Sequence, residues 1–173
     1  MTDQTAQTIV SLSISVVCYH NSLDELQQLI RSSLDAIAHA KALLPLAKIP
    51  FILIDNSDDS ANPACIPSDV LAEFKAQADS LEVELRLIRG HGNVGYGRGH
   101  NLALKPLESR FHLLLNPDIT LNEDCISEGL KYLLNEPSAV MASPHATNAT
   151  GEKQHLCKRY PSVATLFVRG FLP

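Results

Sequence analysis

The chain has 173 residues, 45% of them hydrophobic and 19% charged, with a formal net charge of −5. These values suit one globular domain, able to bury roughly 70% of its unfolded surface, and exclude a disordered chain as the default. A negative balance with no basic stripe leaves little to displace counterions from a polyanion, so nucleic acid is not an expected partner.

In chain order, Met1–Val10 is polar and lacks the basic start and apolar centre of a secretory signal. Ile14–Cys18 is a short apolar run of the kind a buried central strand shows. Ser22 can cap a first helix, and Glu25, three residues on, can complete a capping box. Leu26, Leu29, Ile30, Ser33, Leu34 and Ile37 then fall on one face at the helical period, and Pro45 and Pro50 bracket the exit.

Phe51–Ile54 reads as a second buried strand, ending on Asp55. A helix is expected from about Ser68 to Ala78, with Val70, Leu71 and Phe74 inward. Val83–Ile88 alternates and suits a strand with one wetter face. A third helix is expected to begin near Gly99 and to be interrupted at Pro106. Phe111–Leu115 is the fourth strand, followed by a helix capped by Asn122 that ends before Pro137 and buries Cys125, Ile126, Leu130, Leu133 and Leu134. Ala139–Ala142 completes the set as a fifth strand. Strand and helix alternate, so the fold class is α/β with a mostly parallel sheet flanked by helices. Ser162–Leu172 resembles the opening turns of one more helix, whose apolar face suggests self-association or docking at a membrane surface.

Cys18, Cys65, Cys125 and Cys157 form no CxxC pair and no zinc-site spacing, which fits free thiols in a reducing compartment. No apolar run approaches the ~20 residues of a membrane span. The expectation is a cytoplasmic domain, placed at the inner face of the membrane if the last helix docks there.

In an open α/β sheet, ligands bind beyond the carboxyl ends of the strands. Two acids stand at such ends, Asp55 and Asp118. Asp118 follows Pro117, which fixes its φ and withholds a donor, so the strand ends there. A magnesium-like ion takes oxygen ligands and often only one or two protein carboxylates, with phosphates and water completing the shell. Asp118 meets that need, and Asn116 could add an oxygen or a hydrogen bond. Taken alone, Asn116-Pro117-Asp118 fits a plain turn equally well, as Asp55-Asn56-Ser57 fits an Asx turn. Asn93-Val94-Gly95-Tyr96-Gly97-Arg98-Gly99-His100-Asn101 follows a strand and opens a helix, where free N–H groups favour a phosphate; a flexible capping turn explains the glycines as well. It is neither a dinucleotide fingerprint nor a phosphate loop ending in Gly-Lys-Ser/Thr. His20 and His100 are the two histidines beside these loops.

Four ordered blocks resemble family 2 glycosyltransferases of the GT-A fold, in the branch that includes bacterial rhamnosyltransferases. They are Ile14–Ser22, Ile52–Ser57, Asn93–Asn101 and Leu115–Asp118, and the likeness runs from Ile14 to about Pro161. The resemblance implies that Tyr19 packs on the nucleobase, with Asn21 beside it, and that Asp55 and Asn56 bind the base or ribose. It places Asn93, Gly95, Gly97, Arg98 and Asn101 near the diphosphate and sugar. It also implies that Asp118 holds Mg2+ or Mn2+, with Asn116 standing where the usual Asp-x-Asp has its first acid. Val140–Pro144 and Asn148–Gly151 are similar to the strand and turn that follow in the family.

The implied function is transfer of a sugar, with dTDP-rhamnose the donor this branch suggests, to a cell-surface glycan or lipid-linked glycan acceptor. The implied chemistry is inverting. In inverting members the acidic base comes from a later segment, and no such Glu-Asp motif follows Pro161. Residues 1–173 are therefore expected to be a single nucleotide-sugar-binding domain, truncated at its C-terminus. The rival expectation is a noncatalytic nucleotide-sugar-binding or assembly module. A nucleotidyltransferase would need a glycine-rich loop with a basic residue after the first strand, and Cys18–Asn21 has neither.

Overall fold

The computed structural model describes residues 9–57, 67–148 and 150–154. Two compact units divide the chain, Met1–Val140 and Met141–Pro173. The first holds β1 (Leu12–Cys18), α1 (Leu23–Leu43), β2 (Ile49–Asp55), α2 (Ser68–Ser80), β3 (Val83–Ile88), α3 (Tyr96–Leu104), β4 (Phe111–Leu115) and α4 (Cys125–Asn135). The strands form one sheet in the order β3-β2-β1-β4, and every pairing is parallel. The expected α/β class with a parallel sheet is therefore what the chain adopts.

Local chemistry explains most boundaries. The Ser22 side chain accepts the Glu25 N–H at 3.3 Å, and Glu25 accepts the Ser22 N–H at 3.2 Å, closing the anticipated capping box. Leu26, Leu29, Ile30, Leu34 and Ile37 are buried along one stripe of α1. Pro50 sits where β2 is paired with β3 alone, since the β1 ladder starts one residue later at Phe51. That position suits a residue with no N–H.

Alternation in the strands sorts the core into two faces. Ile14, Val16, Phe51 and Leu53 pack with α1, with Phe74 and Ala78 of α2, and with Ile126 and Leu130 of α4. Val17, Ile52 and Ile54 turn the other way, onto Ala103 of α3. The winding accounts for this. From β1 to β3 the chain steps in one direction, and between β3 and β4 it steps back across β2 and β1. A right-handed crossover in the reverse direction places its helix on the opposite face.

Three expectations need correction. Residues 139–142 form no strand: after α4 the Ala139 N–H closes a turn on the Glu136 carbonyl at 2.9 Å, and Val140 is 98% exposed. Four apolar residues can mimic a strand in composition without a neighbour to pair with. α4 takes Asp124, not Asn122, as its N-cap; the Asn122 carbonyl instead accepts the Cys125 N–H in the preceding turn. On that helix Ile126 and Leu130 are buried, whereas Cys125, Leu133 and Leu134 are only partly so. α3 opens at Tyr96, earlier than Gly99, because Gly95 at φ 82° serves as its cap.

In the second unit, Ala146–Thr147 (β5) pairs antiparallel with Lys153–Gln154 (β6). Asn148 holds this turn, its Oδ1 accepting the N–H groups of Thr150 and Glu152. The helix expected at Ser162–Leu172 lies outside the described residues. Among the described residues, no helix is long and apolar enough to cross a membrane.

Candidate functional site

The tips of β1 and β2 are tied together. Cys18 is in register with Asp55, and the Asn56 N–H donates to the Cys18 carbonyl at 2.8 Å. One residue beyond β1, the Tyr19 N–H donates to Asn21 Oδ1 at 2.9 Å, so Asn21 uses its carbonyl to shape the turn. His20 sits at φ 52°, uncommon for a side-chain-bearing residue, and its N–H donates to Ser57 Oγ. The turn leaves the Tyr19 ring half exposed, with its centroid 4.2 Å from that of His20. Asp55 is recessed, 3% exposed, with Oδ1 accepting the Ser57 N–H at 3.0 Å. An exposed aromatic next to a recessed acceptor can stack one face of a nucleobase and take a hydrogen bond from its edge.

The segment leaving β3 has to cross the tips of β2 and β1 to reach β4, about 14 Å away at the usual strand spacing. Its middle is pinned over those tips. Asn56 Nδ2 donates to the Gly95 carbonyl at 3.2 Å, and the Gly95 N–H donates to Asn93 Oδ1 at 2.9 Å. α3 then turns down onto the sheet so closely that a Cβ on Gly99 would stand 2.9 Å from Val17 Cγ2. The first intrahelical bond is Gly99 N–H to Gly95 C=O at 2.9 Å, which leaves the N–H groups ahead of it without helical partners. A helix start of this kind favours an anion.

β4 delivers the fourth block to the same edge, Leu115 lying opposite Val16. The Tyr96 hydroxyl donates to Asn116 Oδ1 at 2.9 Å, so the glycine segment touches β2 through Asn56 and β4 through Asn116. Asp118 is exposed beside it. Burial, and then the Asp118 charge, push the Tyr96 phenol above its ordinary pKa. Among the described residues no group of three His, Cys, Asp or Glu could hold a metal. With Asn116 Oδ1 engaged by Tyr96, Asp118 is the carboxylate left for a cation. One carboxylate fits an ion whose other ligands are phosphate and water oxygens, the common arrangement for Mg2+.

Tyr19, Asp55, Asn56, Gly95, Asn116 and Asp118 thus stand beyond one edge of the sheet, with the tip of β1 between the two acids. Gly97, Arg98 and Asn101 are exposed on α3, whereas Gly99, His100 and Ala103 face the sheet. Asn21 and Asn93 are turn formers first. The site is an open edge; concavities of about 580 and 460 Å3 lie elsewhere, one along α2 and β3 beside Lys75 and Arg86, the other along α1 beside Gln28 and Arg31.

The motifs alone did not single out the Tyr96 side chain, nor the buried polar group under the segment that joins His100 to Ser13, Ser15 and His112. Ser13 and Ser15 are fully buried, and Ser15 Oγ lies 2.7 Å from both His100 Nδ1 and His112 Nε2. Burial, then the neighbouring His112, lower the His100 pKa to about 4; burial lowers that of His112 as well. The signal was two serines at alternate positions of an otherwise apolar strand.

Comparison with known proteins agrees with this architecture. Residues 14–171 match the family described as Glycosyl transferase family 2. Among solved structures, S. aureus TarS is similar over 74% of this chain and 20% of its own, at 18% identity and a TM-score of 0.54. S. aureus TarS 1-349, alone and in complex with UDP, is similar over 74% of this chain and 33% of its own, at 18% identity and a TM-score of 0.53. The chain therefore spans at most a third of the length of these proteins, and at this identity the likeness is one of fold. A search of curated proteins gave no match.

Proposed function

This chain belongs to glycosyl transferase family 2, and on that footing we propose that its strand tips bind a nucleoside-diphosphate sugar for transfer to a glycan or lipid-linked glycan acceptor. The observation that carries the reading is the common edge: Tyr19, Asp55 and Asp118 stand at or just past three parallel strand ends, and a single glycine segment bonds to Asn56 beside Asp55 and to Asn116 ahead of Asp118. Tyr19 stacks on the base, Asp55 accepts from its edge, and Asn56 anchors the segment that meets the diphosphate. The N–H groups at the start of α3 face the phosphates, where negative charge grows as the sugar leaves. Asn93, Gly95, Gly97, Arg98 and Asn101 surround that position.

Asp118 would hold Mg2+ or Mn2+. Such a cation supplies charge neutralisation at the leaving diphosphate. The UDP bound by S. aureus TarS 1-349 supports a nucleoside diphosphate as the ligand class. For the sugar we propose rhamnose, carried by dTDP, on the likeness of the four blocks to rhamnosyltransferases. The reaction we propose is an inverting displacement, in which a base deprotonates the acceptor hydroxyl as its oxygen attacks the anomeric carbon and the nucleoside diphosphate leaves from the opposite face. Asp55 and Asp118 of this edge already have other roles in this reading, and we place the donor half of the reaction here.

Calorimetry with UDP and dTDP, in Mn2+ and in EDTA, tests the reading. The wild type should bind in Mn2+, and Asp118→Ala should weaken that binding by about tenfold or more, equivalent to about 1.4 kcal/mol. Absence of binding, or equal binding by both proteins, defeats the donor site. Donor binding with no transfer to any acceptor would favour a noncatalytic module.

A further inference from the structure

The glycine segment has little stiffness of its own. Gly95, Gly97 and Gly99 alternate through it, and ordering glycine costs more conformational entropy than ordering any other residue. Something beneath it must hold Tyr96 in place. Under it runs a continuous polar chain linking three elements. His112 on β4 lies opposite Ser13 on β1, and its ring reaches along β1 to bond twice: Nδ1 to Ser13 Oγ and Nε2 to Ser15 Oγ, each at 2.7 Å. Ser15 Oγ passes the contact to His100 Nδ1 on α3, also at 2.7 Å. The His100 ring meets the Tyr96 ring edge-to-face, centroids 4.5 Å apart, and the Tyr96 hydroxyl returns to β4 at Asn116.

Such a chain is costly in a strand core. Apolar residues at 13 and 15 would pack without polar atoms to satisfy, and His100 Nε2 is buried with no hydrogen-bond partner. A neutral imidazole has one donor and one acceptor, whereas a hydroxyl donates one proton and can accept two. Every path joining the two histidines runs through Ser15, and Ser13 Oγ meets Ser109 Oγ as well.

We propose that Ser13, His112, Ser15 and His100 are positioning residues that fix Tyr96, so that its hydroxyl occupies Asn116 Oδ1 and leaves Asp118 alone to meet a cation-bound diphosphate. The proposal rests on the donor-site reading above. It separates two halves of the site: the nucleoside half at Tyr19 and Asp55 lies outside the circuit, whereas the diphosphate half depends on it.

The test is titration of the purified protein with UDP and dTDP, in Mn2+ and in EDTA, and with the nucleosides uridine and thymidine. Wild type, Ser15→Ala, Tyr96→Phe and the double variant are compared. Ser15→Ala and Tyr96→Phe should each reduce the Mn2+-dependent gain in diphosphate affinity about three- to tenfold, because each weakens the Tyr96–Asn116 contact, one hydrogen bond of about 1 kcal/mol. Nucleoside affinity should stay at the wild-type value. The double variant should lose no more than the worse single one, because both cut one circuit. A purely structural role predicts a lower melting temperature with the Mn2+-dependent gain intact, and that result overturns the proposal. Should Ser15→Ala fail to fold, the exposed Tyr96→Phe decides alone: a wild-type gain refutes the circuit. A wild type that binds neither nucleotide in Mn2+ removes the donor-site reading itself and this proposal with it, whereas normal wild-type binding with unaffected variants removes only the proposal.

Discussion

The two faces of β1 differ sharply although they alternate along seven residues. On one face Leu12, Ile14 and Val16 sink among Leu26, Leu29, Ile30 and Ile37 of α1, all buried and apolar. On the other, Ser13 and Ser15 precede Val17, and the hydroxyls meet two histidines whose pKa values burial has lowered. Fully burying a large apolar side chain stabilises by about 1.5–3 kcal/mol, whereas a hydrogen bond contributes about 1 kcal/mol net. The α1 face accordingly holds the fold together. The α3 face gives up part of that stabilisation to aim a segment.

The largest effect expected is on the apolar side. Phe51 lies opposite Ile14 and is fully buried in the α1 cluster. Phe51→Ala should cost about 3–5 kcal/mol in denaturant unfolding, against about 1–3 kcal/mol for Ser15→Ala, which removes two hydrogen bonds. Equal losses would erase the distinction between the faces.

Acid should attack the polar side first. His100 and His112 are held neutral below the ordinary value of 6.5, His100 down to about 4. Between those limits the unfolded chain binds protons that the folded face refuses, so stability falls as pH drops from 6.5 and is fully present above it. Each pH unit within that window removes about 1.4 kcal/mol, so roughly 2–3 kcal/mol of the His100 contribution is gone by pH 4.5. Glu84, lowered to about 2 chiefly by its hydrogen bond to Arg86, acts in a separate window below 4.5. Unfolding curves at pH 7.5, 5.5 and 4.5 read the effect, and His100→Gln should flatten the slope. A flat profile in the wild type would show that the histidines titrate freely.

The smallest effect sharpens the comparison where the faces meet. Gly99→Ala gains about 1 kcal/mol of helix propensity but drives a methyl into Val17, whose β-branched side chain has little rotamer freedom. Overpacking of about 1–3 kcal/mol leaves a net loss of about 1 kcal/mol. Melting temperature should drop slightly while diphosphate affinity drops further. A stabilised variant with intact binding would mean that α3 can ride away from the sheet without consequence.

What the sequence disclosed follows the range of each interaction. The Ser22–Glu25 box spans three residues, so its chemistry was visible before the structure. Asp55 and Asp118 could be placed on one edge because all strands of a parallel sheet end on the same side. Apolar runs located four of the five expected strands, but at 139–142 they could not reveal whether a neighbour was there to pair with. The cap of α4 shifted from Asn122 to Asp124, a choice within a run of three polar residues that composition does not make. Ser13 and Ser15 were absorbed into a strand read as apolar. Their partners lie 85 to 99 residues away, and nothing local announces such a pairing.

That separation also bears on how the molecule assembles. β4 zips onto β1 across almost a hundred residues of intervening chain, while β2 and β3 join neighbours much nearer in sequence. For an unstructured intervening chain, closing β4 onto β1 therefore costs about 1 kcal/mol more in loop-closure entropy than closing β2 onto β1. On the proposed reading Asp118 completes the site only when β4 is paired with β1, so a molecule opened at that ladder would carry no finished binding edge.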